Sequence, residues 1–287
     1  MENGENVKNI LIKNRFLIPS LSKSEKKAAK LLLDNPAGVV NLTLTEYAER
    51  ADCSQASILR FCKRLGVDGF PEFKMQIILA LKDEESHPAY SNEVTPDDTM
   101  QQILEKVFFY NIQTLKDTLA LISDDYDKAL KALSMAQNVH FFGIGDAAVP
   151  AELASIKFRR LGIMTTVNVD ADMQLITAGT MGERDVAIAI SYSGRSRSVV
   201  EAMRLAKENG ATTICITKME KSPLIKYCDI RLFTATTDVT VGKEIVARRI
   251  AEQAIMEALY LGLITKARPD YRENVKKTAD VMEYNKL

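Results

Sequence analysis

The hexapeptide Ser191-Tyr192-Ser193-Gly194-Arg195-Ser196 carries three hydroxyls and a glycine immediately after an apolar run, DVAIAI, and at the start of an amphipathic stretch, SRSVVEAMRLAKENG. Hydroxyl donors, a glycine that permits close backbone approach, and the unpaired N–H groups of a helix start together suit a phosphate. A second loop of this kind, Gly143-Ile144-Gly145-Asp146-Ala147-Ala148, follows NVHFF and opens another helix. Gly-x-Gly alone also serves any tight strand-to-helix turn, for steric reasons. A dinucleotide fingerprint would put a third glycine at 148, where this chain has alanine, so the paired loops point to phosphate chemistry of another kind.

These loops need rigid carriers, and the sequence supplies them. Beyond residue 137 short β-rich runs (NVHFFGIG, IMTTVNV, DVAIAISYSG, TTICIT, DIRLFTA) alternate with helical ones. Such alternation predicts a doubly wound parallel sheet, with ligands beyond the carboxyl ends of its strands. Two amphipathic helices are expected within 99–121 and 124–136, and two more at the end, KEIVARRIAEQAIMEALYLGLI and RENVKKTADVMEYN.

The N-terminal part has a different grammar. A helix begins near Ser22 and stops at Pro36; a second is capped by Thr43 or Thr45 and breaks near Asp52. A third starts at Ser54, turns Ile58, Phe61, Cys62 and Leu65 to one stripe, and ends at Gly66. The tight join between the second and third is a helix-turn-helix signal. A fourth helix runs from Pro71, and the polar stretch around Pro88 and Pro96 reads as a linker.

With 287 residues, 46% hydrophobic and 26% charged, the chain has material for two cores. We therefore expect an all-α helix-turn-helix domain at 1–82, a linker at 83–98 and an α/β domain at 99–287. The net charge of zero divides unevenly: residues 1–82 hold 13 Lys and Arg against 9 Asp and Glu, and the remainder 25 against 29. A basic excess on the helical part suits phosphate neutralisation on DNA. No apolar run approaches a membrane span and no leader pattern opens the chain, so a cytoplasmic protein without membrane contact is expected. Cys53, Cys62, Cys215 and Cys228 form no C-x-x-C pair, and with His87 and His140 alone beside them no metal site or cofactor is expected.

The C-terminal region resembles the sugar isomerase (SIS) phosphosugar-binding domain, whose S-x-S-G-x-[ST] loop stands here as Ser191, Ser193, Gly194 and Ser196. The glycine loop, the helix ending KFRRLG at 157–162 and the segment 217–229, TKMEKSPLIKYCD, resemble it as well. The N-terminal region resembles the helix-turn-helix of RpiR-family regulators across Ser54 to Gly66, SQASILRFCKRLG, and 69–74, GFPEFK.

The resemblance implies a transcription regulator of sugar or amino-sugar metabolism, without catalytic residues, that binds an operator and a sugar-phosphate effector. Phosphosugar contacts would come from Gly143, Gly145, Asp146, Ala147, Ser191, Tyr192, Ser193, Gly194 and Ser196. Glu244, near the start of the penultimate helix, would reach the ligand of a partner subunit. Ala147 replaces a serine common in SIS domains, and Arg248 replaces the serine of a usual serine-arginine pair. In the recognition helix, opened by Ser54, the residues Gln55, Ala56, Ser57 and Arg60 would face bases, with Lys63 and Arg64 on phosphates. A homodimer or homotetramer follows, because paired helices match half-sites about 34 Å apart. The alternative is a sugar-phosphate isomerase or lyase fused to a DNA-binding domain. That chemistry needs a base beside the carbonyl, whereas His87 falls in the linker and His140 is placed before the first strand.

Overall fold

The computed structural model describes residues 10–85, 93–235, 240–241, 244–245 and 248–284. It divides into two units, Met1–Asn92 and Glu93–Leu287. The division falls within the 83–98 segment. Helix α6 runs on to Glu85, while Asp98 is held to the second unit by Lys106, 2.7 Å away.

The described residues of the first unit form only helices and their connections: α1 (Ile10–Leu17), α2 (Lys23–Asp34), α3 (Pro36–Val40), α4 (Leu44–Arg50), α5 (Gln55–Arg64) and α6 (Phe70–Glu85). Local chemistry sets the boundaries. Ser22 and Thr43 each form a capping box with the glutamate three residues on, Glu25 and Glu46. Asn35 caps α3, whose first residue is Pro36, and Ser54 caps α5 by accepting the Ser57 N–H. In the α4–α5 turn Asp52 takes φ +48°, a left-handed conformation that Asp tolerates better than most residues. The helices bury Leu32, Tyr47, Ile58, Phe61, Phe73 and Ile77. The Tyr47 hydroxyl, which could not be left unpaired in that interior, donates to the Ala28 carbonyl at 2.8 Å.

The second unit opens with α7 (Met100–Leu119) and α8 (Asp125–Met135). Five parallel strands follow: β1 (Asn138–Phe142), β2 (Met164–Asn168), β3 (Asp185–Ile190), β4 (Thr212–Lys218) and β5 (Ile230–Thr234). Their order is β2-β1-β3-β4-β5. The crossovers carry α9 (Ala148–Arg160), α10 (Ala171–Gly179) and α11 (Arg197–Glu208). Alternate strand residues serve opposite faces. Val139, Phe141, Ile188 and Ile214 pack with residues of α8, α9 and α12 (Arg248–Lys266). Phe142, Ala187, Ala189 and Cys215 pack under α10 and α11. Both faces are covered, which is why the strands read as continuous apolar runs. The last helix among the described residues is α13 (Pro269–Glu283).

Two expectations about the elements are corrected, and one unassigned stretch proves helical. His140 lies inside β1, not before it. The penultimate helix begins at Arg248, not at Lys243; Glu244 and Ile245 form a short strand, β7, antiparallel to β6 (Thr240–Val241). Residues 171–179, given no element from sequence, form α10.

In this strand order the chain leaves β1 to one side toward β2 and then crosses to the other side for β3. The loops after β1 and β3 therefore diverge and leave a crevice at the carboxyl end of the sheet.

Candidate functional site

The two loops singled out by sequence are the ones that flank this crevice. In the first, Gly143 is buried, and a Cβ there would sit 2.9 Å from the Ala147 carbonyl oxygen, so no larger residue fits the turn. Ala147 is buried in the α9-side core and its N–H already bonds the Ile144 carbonyl. Its methyl thus serves packing, whereas Gly145 and Asp146 are exposed. In the second loop Gly194 takes φ +61°, and a side chain there would collide with Ser222 Oγ. Ser191 is buried, with its N–H on the Ile216 carbonyl at 3.1 Å. Ser193 Oγ accepts the Arg195 N–H at 3.3 Å. Ser196 occupies the N-cap position of α11, yet its hydroxyl makes no capping bond. The neighbouring Ser198 and Ser222 hydroxyls are buried without a protein partner. Hydroxyls and helix-terminal amides are thereby gathered on one short segment.

Joining the loops is a residue that sequence reading noted only as a departure. Arg248, at the start of α12, places Nη2 2.6 Å from Asp146 Oδ2 and its guanidinium carbon 5.5 Å from the centre of the Tyr192 ring. Lys218, at the end of β4, lies 5.4 Å from the same ring centre. Arg249 shares the Asp146 oxygen, with Nε at 3.1 Å, and also pairs with Glu252. Glu252 is fully buried and its Oε1 has no partner. Burial pushes its carboxyl up to about 7 against the attraction of Arg249, and the nearby charge of Asp146 adds to that rise. Arg-Arg-x-x-Glu on one helical face was the available signal for this cluster.

Other expected residues lie elsewhere. The Glu244 and His87 side chains lie outside the described residues. His140 bonds Thr166 Oγ1 through Nδ1 at 2.8 Å, and burial lowers its pKa. It stands mid-strand and takes no part in the crevice. Among the described residues, no group of three or more His, Cys, Asp or Glu side chains is arranged to hold a metal, and no helix is long and apolar enough to cross a membrane.

In the first unit, Ile58, Phe61 and Cys62 anchor α5, and with them Ser57, which is only 4% exposed. The Ser57 hydroxyl meets Ser54 Oγ at 2.9 Å and an Arg60 nitrogen at 3.0 Å. These contacts turn it inward, so its expected place facing a base is corrected. Gln55 donates to Thr45 Oγ1 at 3.0 Å and Arg64 to the Ser20 carbonyl at 2.9 Å, tying both to neighbouring elements. Ala56, Leu59, Arg60 and Lys63 are exposed, as are Gln55 and Arg64; sequence reading passed over Leu59.

A helix-turn-helix unit, together with a doubly wound sheet bearing a serine loop at its switch point, defines a transcription regulator with a sugar-binding SIS domain. Residues 9–84 match the helix-turn-helix domain of the rpiR family and residues 132–261 the SIS domain. An HTH-type transcriptional regulator of Caldanaerobacter subterraneus is 34% identical, over 95% of this chain and 96% of its own. The HTH-type regulator HexR of Pseudomonas aeruginosa is 29% identical over 94% of each chain. The solved Vibrio vulnificus NanR protein, complexed with ManNAc-6P, has the same fold, with a TM-score of 0.60 at 21% identity over 96% of this chain and 98% of that one. The chain belongs to the rpiR family of helix-turn-helix regulators.

Proposed function

We propose that this chain binds a double-stranded operator through α5 and adjusts that binding to the level of a phosphorylated sugar held between the 143–148 and 191–196 loops. The regulated genes would serve sugar or amino-sugar metabolism. The observation that carries the reading is Arg248, which spans both loops through Asp146 and Tyr192. In this reading the phosphate rests against the Ser193 and Ser196 hydroxyls and the first amides of α11. The sugar hydroxyls then face Asp146 and the two arginines. The NanR protein, of the same fold and complexed with ManNAc-6P, supports a sugar-phosphate effector, and HexR, an HTH-type transcriptional regulator, supports the operator-binding role.

A homodimer or homotetramer would present two recognition helices to paired half-sites. Effector binding alters operator affinity only by favouring one arrangement of those helices over another. The relatives named as transcriptional regulators favour this over the isomerase or lyase reading. So does the complete burial of Glu252, the carboxylate whose pKa would best suit a base.

The test is a gel-shift titration of the full chain with hexose, pentose, amino-sugar and sugar-acid phosphates, run beside thermal unfolding. One member should shift operator affinity about fivefold or more and, at 100 times its Kd, add about 2.7 kcal/mol of stability. Indifference of both measurements to the whole panel overturns the proposal. Turnover of any member, followed by NMR, would favour the enzyme.

A further inference from the structure

The exposed side of α5 carries two apolar residues, Ala56 and Leu59, among the polar Gln55, Arg60, Lys63 and Arg64. At 3.6 residues per turn, Ala56 and Lys63 nearly eclipse one another, directly opposite the buried stripe, and Leu59 and Arg60 fall on either side of that line. Leu59 is 39% exposed. Ser57 is turned inward, while the exposed Gln55 and Arg64 lie toward the edges of this face, bonded to Thr45 Oγ1 and the Ser20 carbonyl. The first two turns of the outward face thus present the Ala56 methyl and the Leu59 isobutyl group, bordered by Arg60 and Lys63.

We propose that Ala56 and Leu59 read the C5-methyl groups of thymines in the major groove, and that this contact sets part of the operator sequence. The inference rests on the DNA-binding reading of α5 given above. The thymine methyl is the apolar feature of a base-pair edge in that groove. A leucine pressed against guanine O6 or cytosine N4 would instead cover a polar group without pairing it, so the same side chain disfavours G·C at that position. Lys63 and Arg60, flanking the apolar pair, supply phosphate attraction that holds the helix in register without choosing a base.

Operators are first selected with the full chain from a random-sequence duplex pool. Each thymine of the selected site is then replaced singly by deoxyuridine, which lacks only the methyl group. Replacement at one or two positions should weaken binding roughly three- to fivefold each, the worth of one buried methyl. Leu59→Ala should bind the thymine and uracil forms of at least one such position equally, and Leu59→Met should keep the difference. Thermal unfolding checks that the variants remain folded. The proposal is overturned by selected operators without thymine, by indifference of the natural chain to every replacement, or by Leu59→Ala keeping the full thymine preference or losing binding to both forms alike. Failure to bind any duplex would remove the DNA-binding reading itself, and this inference with it.

Discussion

The recognition helix and the crevice of the sheet are built in opposite ways. Helix α5 is a local object: its cap, buried stripe and exposed face all come from the segment Ser54 to Leu65. The crevice is assembled from Asp146, Tyr192, Lys218 and Arg248, with the buried Glu252 behind them, brought together only by the strand order and by the packing of α12. A face made by one segment presents its chemistry whenever that segment is anchored. A site made by several depends on every crossover being in place, and its charges face each other before any ligand arrives.

The largest expected effect tests the anchoring. Phe61→Ala empties a fully buried position in the helical core and should cost about 3–5 kcal/mol. Calorimetry should show the loss in the first unit, with DNA binding impaired and sugar-phosphate binding retained; equal loss of both would break the contrast. Next comes the buried carboxylate. Because the folded-state pKa of Glu252, about 7, exceeds its unfolded value near 4.5, the native chain holds this proton more tightly. Stability should therefore fall as pH rises from about 4.5 to 7, by a total on the order of 3 kcal/mol. In the Glu252→Gln variant this contribution should vanish from denaturation profiles taken across that range. His140, with its pKa lowered by burial, works the other way: its contribution rises with pH up to the unfolded value near 6.5. The comparison must therefore be variant against parent at each pH.

A smaller effect probes the assembly of the crevice. Arg248→Ala removes the link between the loops and should weaken effector binding roughly ten- to hundredfold by calorimetric titration, with operator affinity in the absence of effector unchanged. Smallest is Asp52→Gly, which relieves a left-handed residue at φ +48° but gives up an exposed pair with Lys27. Unfolding temperature should rise by a few degrees at most; a clear fall would mean the pair matters more than the backbone.

The same contrast decides what was legible in the sequence. Helix α5 could be read because Ser54, the Ile58, Phe61, Cys62 and Leu65 stripe and Gly66 are neighbours. The two loops could be read because each sits between a strand signal and a helix signal. Arg248 and Glu252 could not be joined to them, since Asp146 and Arg248 are 102 residues apart and only the folded sheet relates them. Helix α10 was missed because its pattern is inverted: Gln174 is buried, donating to the Gly143 and Asn168 carbonyls, while Met173 and Ile176 are exposed. The start of α12 was misjudged because KEIVARRIAEQ has continuous helical character, whereas antiparallel pairing with Thr240 and Val241 draws Glu244 and Ile245 into a strand.

The Asp146 carboxylate, gripped by two guanidinium groups, has a consequence for timing as well as for strength. A guest that engages those arginines displaces a resident anion, so it gains only the difference between two similar contacts. Occupancy should then track the surrounding concentration closely, with the departing guest's place retaken at once from within, a behaviour suited to a gauge that must be read repeatedly.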